Sequence, residues 1–138
     1  MAKFCSTIIL NQACSYIGSN SKKMGVFTAN PANLTACTAT TYLALVAMTT
    51  ADFTIADGDV SGKKVTVAQK ATIAVTTTGV PNSIVLFSTQ AGTTGIHYIT
   101  TCSTAQALTS TANTVTVPAW DIEFRDDDTQ SDSRNVRA

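Results

Sequence analysis

Between Lys70 and Asp121 the chain contains no Asp, Glu, Lys or Arg. The fifty residues 71–120 are mostly Thr, Ser, Ala, Val, Ile and Gly. A domain that stands free in water keeps charges of both signs spread over its surface. A long uncharged, β-prone stretch implies a surface largely covered by something else, and other protein subunits are the simplest cover. The chain therefore reads as an assembly protein rather than an enzyme.

At 138 residues the chain is long enough for one domain with a real core. We expect a folded unit over 1–124 and a polar C-terminal arm over 125–138. Charged residues are 13% of the chain, about half the usual share, and the formal net charge is zero. No basic surplus exists to neutralise phosphates, which argues against nucleic acid as a partner. The 44% apolar content takes the chain out of the disordered class. No apolar run reaches the length that spans a bilayer, so no membrane partner is expected. The opening run Ile8-Ile9-Leu10 is interrupted by Asn11 and Gln12 and is too short for a signal-peptide core. We expect a protein made and kept in a cytoplasm until it assembles.

Ile9, Leu10, Ala13 and Ile17 recur at helical spacing, and Ser6 and Gly18 suit the two ends. They predict a short helix over about 6–19 with those four residues on its buried stripe. From Lys23 onward the pattern is β. Expected strands are Met24–Thr28, Tyr42–Met48, Phe53–Ala56, Lys63–Ala68 and Thr72–Thr77, then Ser83–Ser88, Ile96–Thr101, Thr114–Val117 and Trp120–Phe124. Val65 and Val67 alternate with polar neighbours, as do Val115 and Val117. Ile84-Val85-Leu86-Phe87 is continuously apolar and should be a central strand covered on both faces. Turn signals separate the runs, at Asn30-Pro31, Asp57-Gly58, Ser61-Gly62, Gly79 to Asn82 and Gly92 to Gly95. Eight or nine short strands at this spacing predict an all-β fold: an antiparallel β-sandwich, jelly-roll or immunoglobulin-like (Ig-like), with a short N-terminal helix and an extended C-terminal arm. Ile84, Leu86, Trp120 and Ile122 are expected in its core.

Candidate chemistry is thin. Asp57-Gly58-Asp59-Val60-Ser61-Gly62 matches the start of a calcium loop, but its twelfth position is Ala68 and strands flank it. A tight hairpin turn is the better account. His97 could pair with Ser83, Ser88 or Cys102 and with Asp121, but no nucleophile motif surrounds any of them. We expect no catalytic residue, metal or cofactor. Cys5, Cys14, Cys37 and Cys102 form no CxxC pair. Either they are buried free thiols, or they become inter-subunit disulfides once the protein leaves a reducing compartment. Asn33-Leu34-Thr35 is a glycosylation sequon with no secretory signal to make it count. After Phe124 the composition turns polar and charged, with Asp126, Asp127, Asp128 and Asp132 set against Arg134 and Arg137. Such a tail lacks the apolar surface to fold alone and is expected to dock on a neighbour.

Two stretches, TTYLALVAMTTADFTIADGDVSGKKVTVAQK and YITTCSTAQALTSTANTVTVPAWDIEF, resemble a family of small virion structural proteins of tailed bacteriophages. The opening MAKFCSTIILNQACSYIGSNSKKM resembles that family's N-terminal helix. The likeness runs up to Phe124 and carries no catalytic motif. It implies a structural part of the particle, preferably a capsid decoration or cement protein, located in the virion. The implied partners are the major capsid protein and copies of the chain itself. A tail-tip or fibre domain that binds a host receptor is the alternative.

Overall fold

The computed structural model describes residues 5–39, 42–102, 107–109 and 113–125. Helix α1 spans Thr7–Asn20. The Ser6 hydroxyl accepts from the Ile8 amide at 3.2 Å, satisfying one of the first-turn donors. At the other end the Ser21 amide donates to the Ile17 carbonyl at 3.0 Å, and Lys22 Nζ donates to the Ser19 carbonyl at 2.7 Å. The buried face is Leu10, Cys14, Ile17 and Gly18; it keeps Leu10 and Ile17 of the expected stripe, whereas Ala13 is half-buried and Ile9 lies outside it. Ile9 is 62% exposed, so its assignment to the core is corrected. The physical reason is close approach. A Cβ on Gly18 would sit 3.2 Å from the Phe53 Cβ, so the small residues Cys14 and Gly18 turn inward and let the helix lie near the sheet.

Among the described residues nine strands follow: β1 Lys23–Phe27, β2 Ala44–Ala47, β3 Phe53–Asp57, β4 Lys63–Val67, β5 Lys70–Ala74, β6 Ser83–Ser88, β7 Gly95–Thr101, β8 Thr114–Val117 and β9 Trp120–Phe124. All pair antiparallel. They form a four-stranded sheet β2-β1-β6-β7, a three-stranded sheet β3-β4-β9 and a ribbon β5-β8. A bridge between Ala44 and Val75 ties the ribbon to the β2 edge. The fold is thus mainly β in open antiparallel sheets with a short N-terminal helix, consistent with a sandwich. A second helix, α2 Leu34–Thr38, was not expected. Its cap is Asn33, whose side-chain oxygen accepts from the Ala36 amide at 3.0 Å. The sequon thus carries a capping signal, too short to show helical periodicity.

Two apolar clusters use opposite faces of the four-stranded sheet. The larger joins Met24, Val26, Ala44 and Leu86 to Val65, Val67 and Ile122 of the facing sheet, to Ile73 and Val117 of the ribbon, and to Cys14 and Ile17 of α1. The smaller holds Phe27, Val85 and Phe87 under Cys37, with Leu34, Tyr42, Leu45, Ile96 and Ile99 around it. β6 therefore feeds both, as its unbroken apolar run requires. Leu86 and Ile122 are fully inside, whereas Ile84 and Trp120 are only half-buried. The expectation that all four lie in the core is corrected for those two.

A bulge interrupts the β6–β7 ladder. Leu86 pairs with Tyr98 and Phe87 with Ile96, which leaves His97 as the extra residue. One added residue inverts the facing of everything beyond it. That inversion places both Ile96 and Ile99 in the smaller cluster.

Candidate functional site

Charge is segregated. Every described Asp, Glu, Lys and Arg lies at Lys22–Lys23, between Asp52 and Lys70, or from Asp121 to Arg125. Residues 24–51 are as free of charge as 71–120, a second gap that the sequence shows equally plainly. On the fold, charge gathers on the three-stranded sheet and its flanking turns. The four-stranded sheet and the ribbon carry only Lys23 and Lys70.

The charges are paired among themselves. Lys63 meets Asp57 at 2.6 Å, Lys64 meets Asp59 at 2.7 Å, and Lys70 meets Asp52 at 2.8 Å. Arg125 meets Glu123 at 2.8 Å. Burial raises the Asp52 carboxyl, but hydrogen bonds from Lys70 and Thr49 outweigh it and hold the group below its ordinary range. The Lys63 hydrogen bond lowers Asp57, and the Val60 amide followed by Arg125 lowers Glu123. The Asp57–Gly62 loop is a hairpin turn. The Gly58 amide donates to the Gly62 carbonyl at 3.0 Å, and Glu123 accepts from the Val60 amide at 2.9 Å. Lysines occupy both of its aspartates. Among the described residues no group of three or more His, Cys, Asp or Glu side chains could hold a metal.

An open cleft of about 460 Å³ lies where the sheets part. Ile84, Thr100, Thr101 and Cys102 form one wall, and Val115 to Pro118, Trp120 and Asp121 form the other. The Trp120 Nε1 and the Ser83 hydroxyl are both buried with no hydrogen-bond partner among the described residues. Asp121, the one charged lining residue, is already engaged by Thr66 at 2.6 Å and Lys64 at 3.5 Å. The cleft therefore offers apolar walls and threonine hydroxyls.

His97 joins none of the partners weighed for it. Its Nδ1 lies 3.0 Å from the Ser21 hydroxyl and its Nε2 lies 2.9 Å from the Thr93 carbonyl. Tyr16 packs edge-on to the ring at a centroid distance of 5.3 Å. The histidine ties the β6–β7 hairpin to the end of α1. Sequence reasoning missed this tie because Ser21 lies 76 positions away.

The four cysteines are free thiols and are scattered. Cys14 and Cys37 are fully buried in different clusters, on opposite faces of the four-stranded sheet. Cys5 and Cys102 are half-buried. Burial pushes the Cys14, Cys37 and Cys102 thiols up, which disfavours their nucleophilic thiolate form. In this fold only Cys5 and Cys102 are within reach of an inter-subunit bond. The docking-arm residues Asp126, Asp127, Asp128, Asp132, Arg134 and Arg137 lie outside the described residues.

Compared with known proteins, the chain matches no family model, no curated protein and no solved structure. Among the described residues no helix is long and apolar enough to cross a membrane.

Proposed function

We propose that the chain is a structural subunit of a tailed-bacteriophage particle, acting as a decoration or cement protein on the capsid. The observation that carries this reading is the segregation of charge. The three-stranded sheet and its turns hold their charges paired among themselves, which suits water, while the four-stranded sheet and the ribbon are nearly uncharged. A subunit seated across junctions between major capsid proteins, and beside copies of itself, would bury the uncharged side. It would resist internal pressure by added interface, without chemistry. The sandwich would be of jelly-roll or Ig-like type, and the tail from Arg125 onward would dock on a neighbour.

The receptor-binding alternative, a tail-tip or fibre domain, calls for exposed aromatics on loops. The exposed large hydrophobics on described loops are Val60 and Val80. This observation favours the capsid reading.

Mass spectrometry of purified particles, with copy number, tests the proposal. Hundreds of copies per particle are expected, matching the shell. A handful of copies would overturn the capsid role in favour of the tail, and absence from particles would overturn both. Deleting residues 125–138 should leave the domain folded and weaken its attachment; equally tight decoration by the shortened chain would remove the arm from the proposal.

A further inference from the structure

A sheet edge presents unpaired amides and carbonyls, and proteins block such edges with charge, proline, short strands or cover. The described fold does so at every edge but one. The bridge to Val75 covers β2, and the Thr76 amide donates to the Leu43 carbonyl beside it at 2.7 Å. β3 ends in the Asp57–Lys63 pair. β9 carries Asp121 and Glu123. β8 has four residues and stops at Pro118. β5 starts at Lys70 and is distorted before Ile73, with Thr72 at φ 54°.

β7 is the exception. At seven residues it is the longest of the described strands, it ends its sheet, and it has no charged residue or proline. The bulge at His97 disturbs its first half only. The Cys102 amide donates to the Asn82 carbonyl at 2.8 Å, which sets the phase of the ladder. By the alternation of an antiparallel pair, Thr100 turns its backbone groups toward β6, and Ile99 and Thr101 turn theirs outward. Among the described residues no backbone group bonds to that outer edge.

We propose that β7 is a homotypic docking edge, where a second copy of this chain adds its own β7 antiparallel across a two-fold axis at Thr100. Ile99 would then face the partner's Thr101 and Thr101 the partner's Ile99, forming about four backbone hydrogen bonds. An edge with no charge can face its own copy without like-charge repulsion, which a β9 edge bearing Asp121 and Glu123 could not. A two-fold contact uses one patch twice, so a single strand suffices. Half-buried Ile96 and Ile99 would extend the smaller apolar cluster across the joint. The four-stranded sheet would become one of eight strands. The inference rests on the assembly reading only for where such a pair would sit, because its test uses the isolated chain.

Sedimentation of the purified full chain should show a concentration-dependent dimer. Thr101→Lys changes an exposed side chain. It should weaken the dimer by about tenfold or more while leaving the circular dichroism unchanged. In a Cys5→Ser, Cys102→Ser background, Thr100→Cys should form a covalent dimer on mild oxidation. Facing residues at such a non-hydrogen-bonded position approach to about 4.5 Å, within disulfide range. A strictly monomeric chain up to about 1 mM, or a dimer indifferent to Thr101→Lys, would overturn the edge. A dimer sensitive to Thr101→Lys but uncrosslinked through position 100 would overturn the Thr100 axis. Particle copy number, measured separately, decides the assembly reading by itself.

Discussion

His97 Nδ1 and the Ser21 hydroxyl stand 3.0 Å apart and join the bulge of β7 to the last turn of α1. The tautomer follows from the other nitrogen. Nε2 faces the Thr93 carbonyl, which only accepts, so Nε2 carries the hydrogen and Nδ1 accepts from Ser21. Ser21 is 1% exposed, so water does not replace its partner easily. Ser21→Ala should cost about 1–3 kcal/mol by leaving the ring nitrogen unpaired. Chemical denaturation measures the loss, and nitrogen chemical shifts of the imidazole should report the Nε2–H form in the parent.

Trp120 and Ser83 should respond in opposite senses. Trp120→Ala removes a half-buried ring packed on the larger cluster and beside Tyr98, at a cost of about 3 kcal/mol. Trp120→Phe keeps most of the ring and removes a donor that has no partner, so it should cost far less. Ser83→Ala deletes a buried unpaired hydroxyl and should raise stability by about 1 kcal/mol. Urea midpoints of the three variants test the ordering; a Trp120→Phe protein as weak as Trp120→Ala would show that the indole N–H is paired.

Acid should loosen the turn before β3. The Asp52 carboxyl is held below its ordinary range in the fold, so its pairing with Lys70 stabilises above the unfolded value near about 4. That contribution is lost as pH falls through the folded value, because the unfolded chain then binds the proton more readily. Asp57 and Glu123 are lowered too and act in the same sense. Melting temperature should fall below about pH 4, and Asp52→Asn should be less stable at neutral pH and flatter across that range.

Thiol labelling of the native chain should divide the cysteines in two. Cys5 and Cys102 should react with an alkylating reagent well before Cys14 and Cys37, which have no exposed surface. Peptide mapping after a timed pulse reads the order. On oxidation of the purified chain, any cross-link should map to Cys5 or Cys102; one through Cys14 or Cys37 would mean that the core opens.

Much of the strand pattern was legible because it rests on local periodicity. Ser83–Ser88, Thr114–Val117 and Trp120–Phe124 begin and end where the residue pattern puts them. The helix was legible as an element, and its buried face in part: Leu10 and Ile17 were, Cys14 and Gly18 were not. Ile9 obeys helical spacing, yet the inward face was decided by how closely Gly18 lets the helix approach Phe53, a tertiary contact. The His97 bulge was invisible because residue spacing along one strand does not reveal a slip against its partner. The cleft was hidden for a similar reason: Thr100 and Val117 meet only through the arrangement of separate sheets. The uncharged middle was plain in the sequence, whereas its relation to the self-paired charges of β3, β4 and β9 needed the fold.

β6 lends Leu86 to one cluster and Val85 and Phe87 to the other. Neither layer can melt while its neighbour stays intact, since each would lose the strand they hold in common. The protein should therefore unfold as one cooperative unit, with α2 and its cover failing together with the facing sheet. The slowest amide exchange should fall on Val85 and Leu86, at rates set by global opening. A domain built this way has no soft half: under rising load it would hold its shape until it fails all at once.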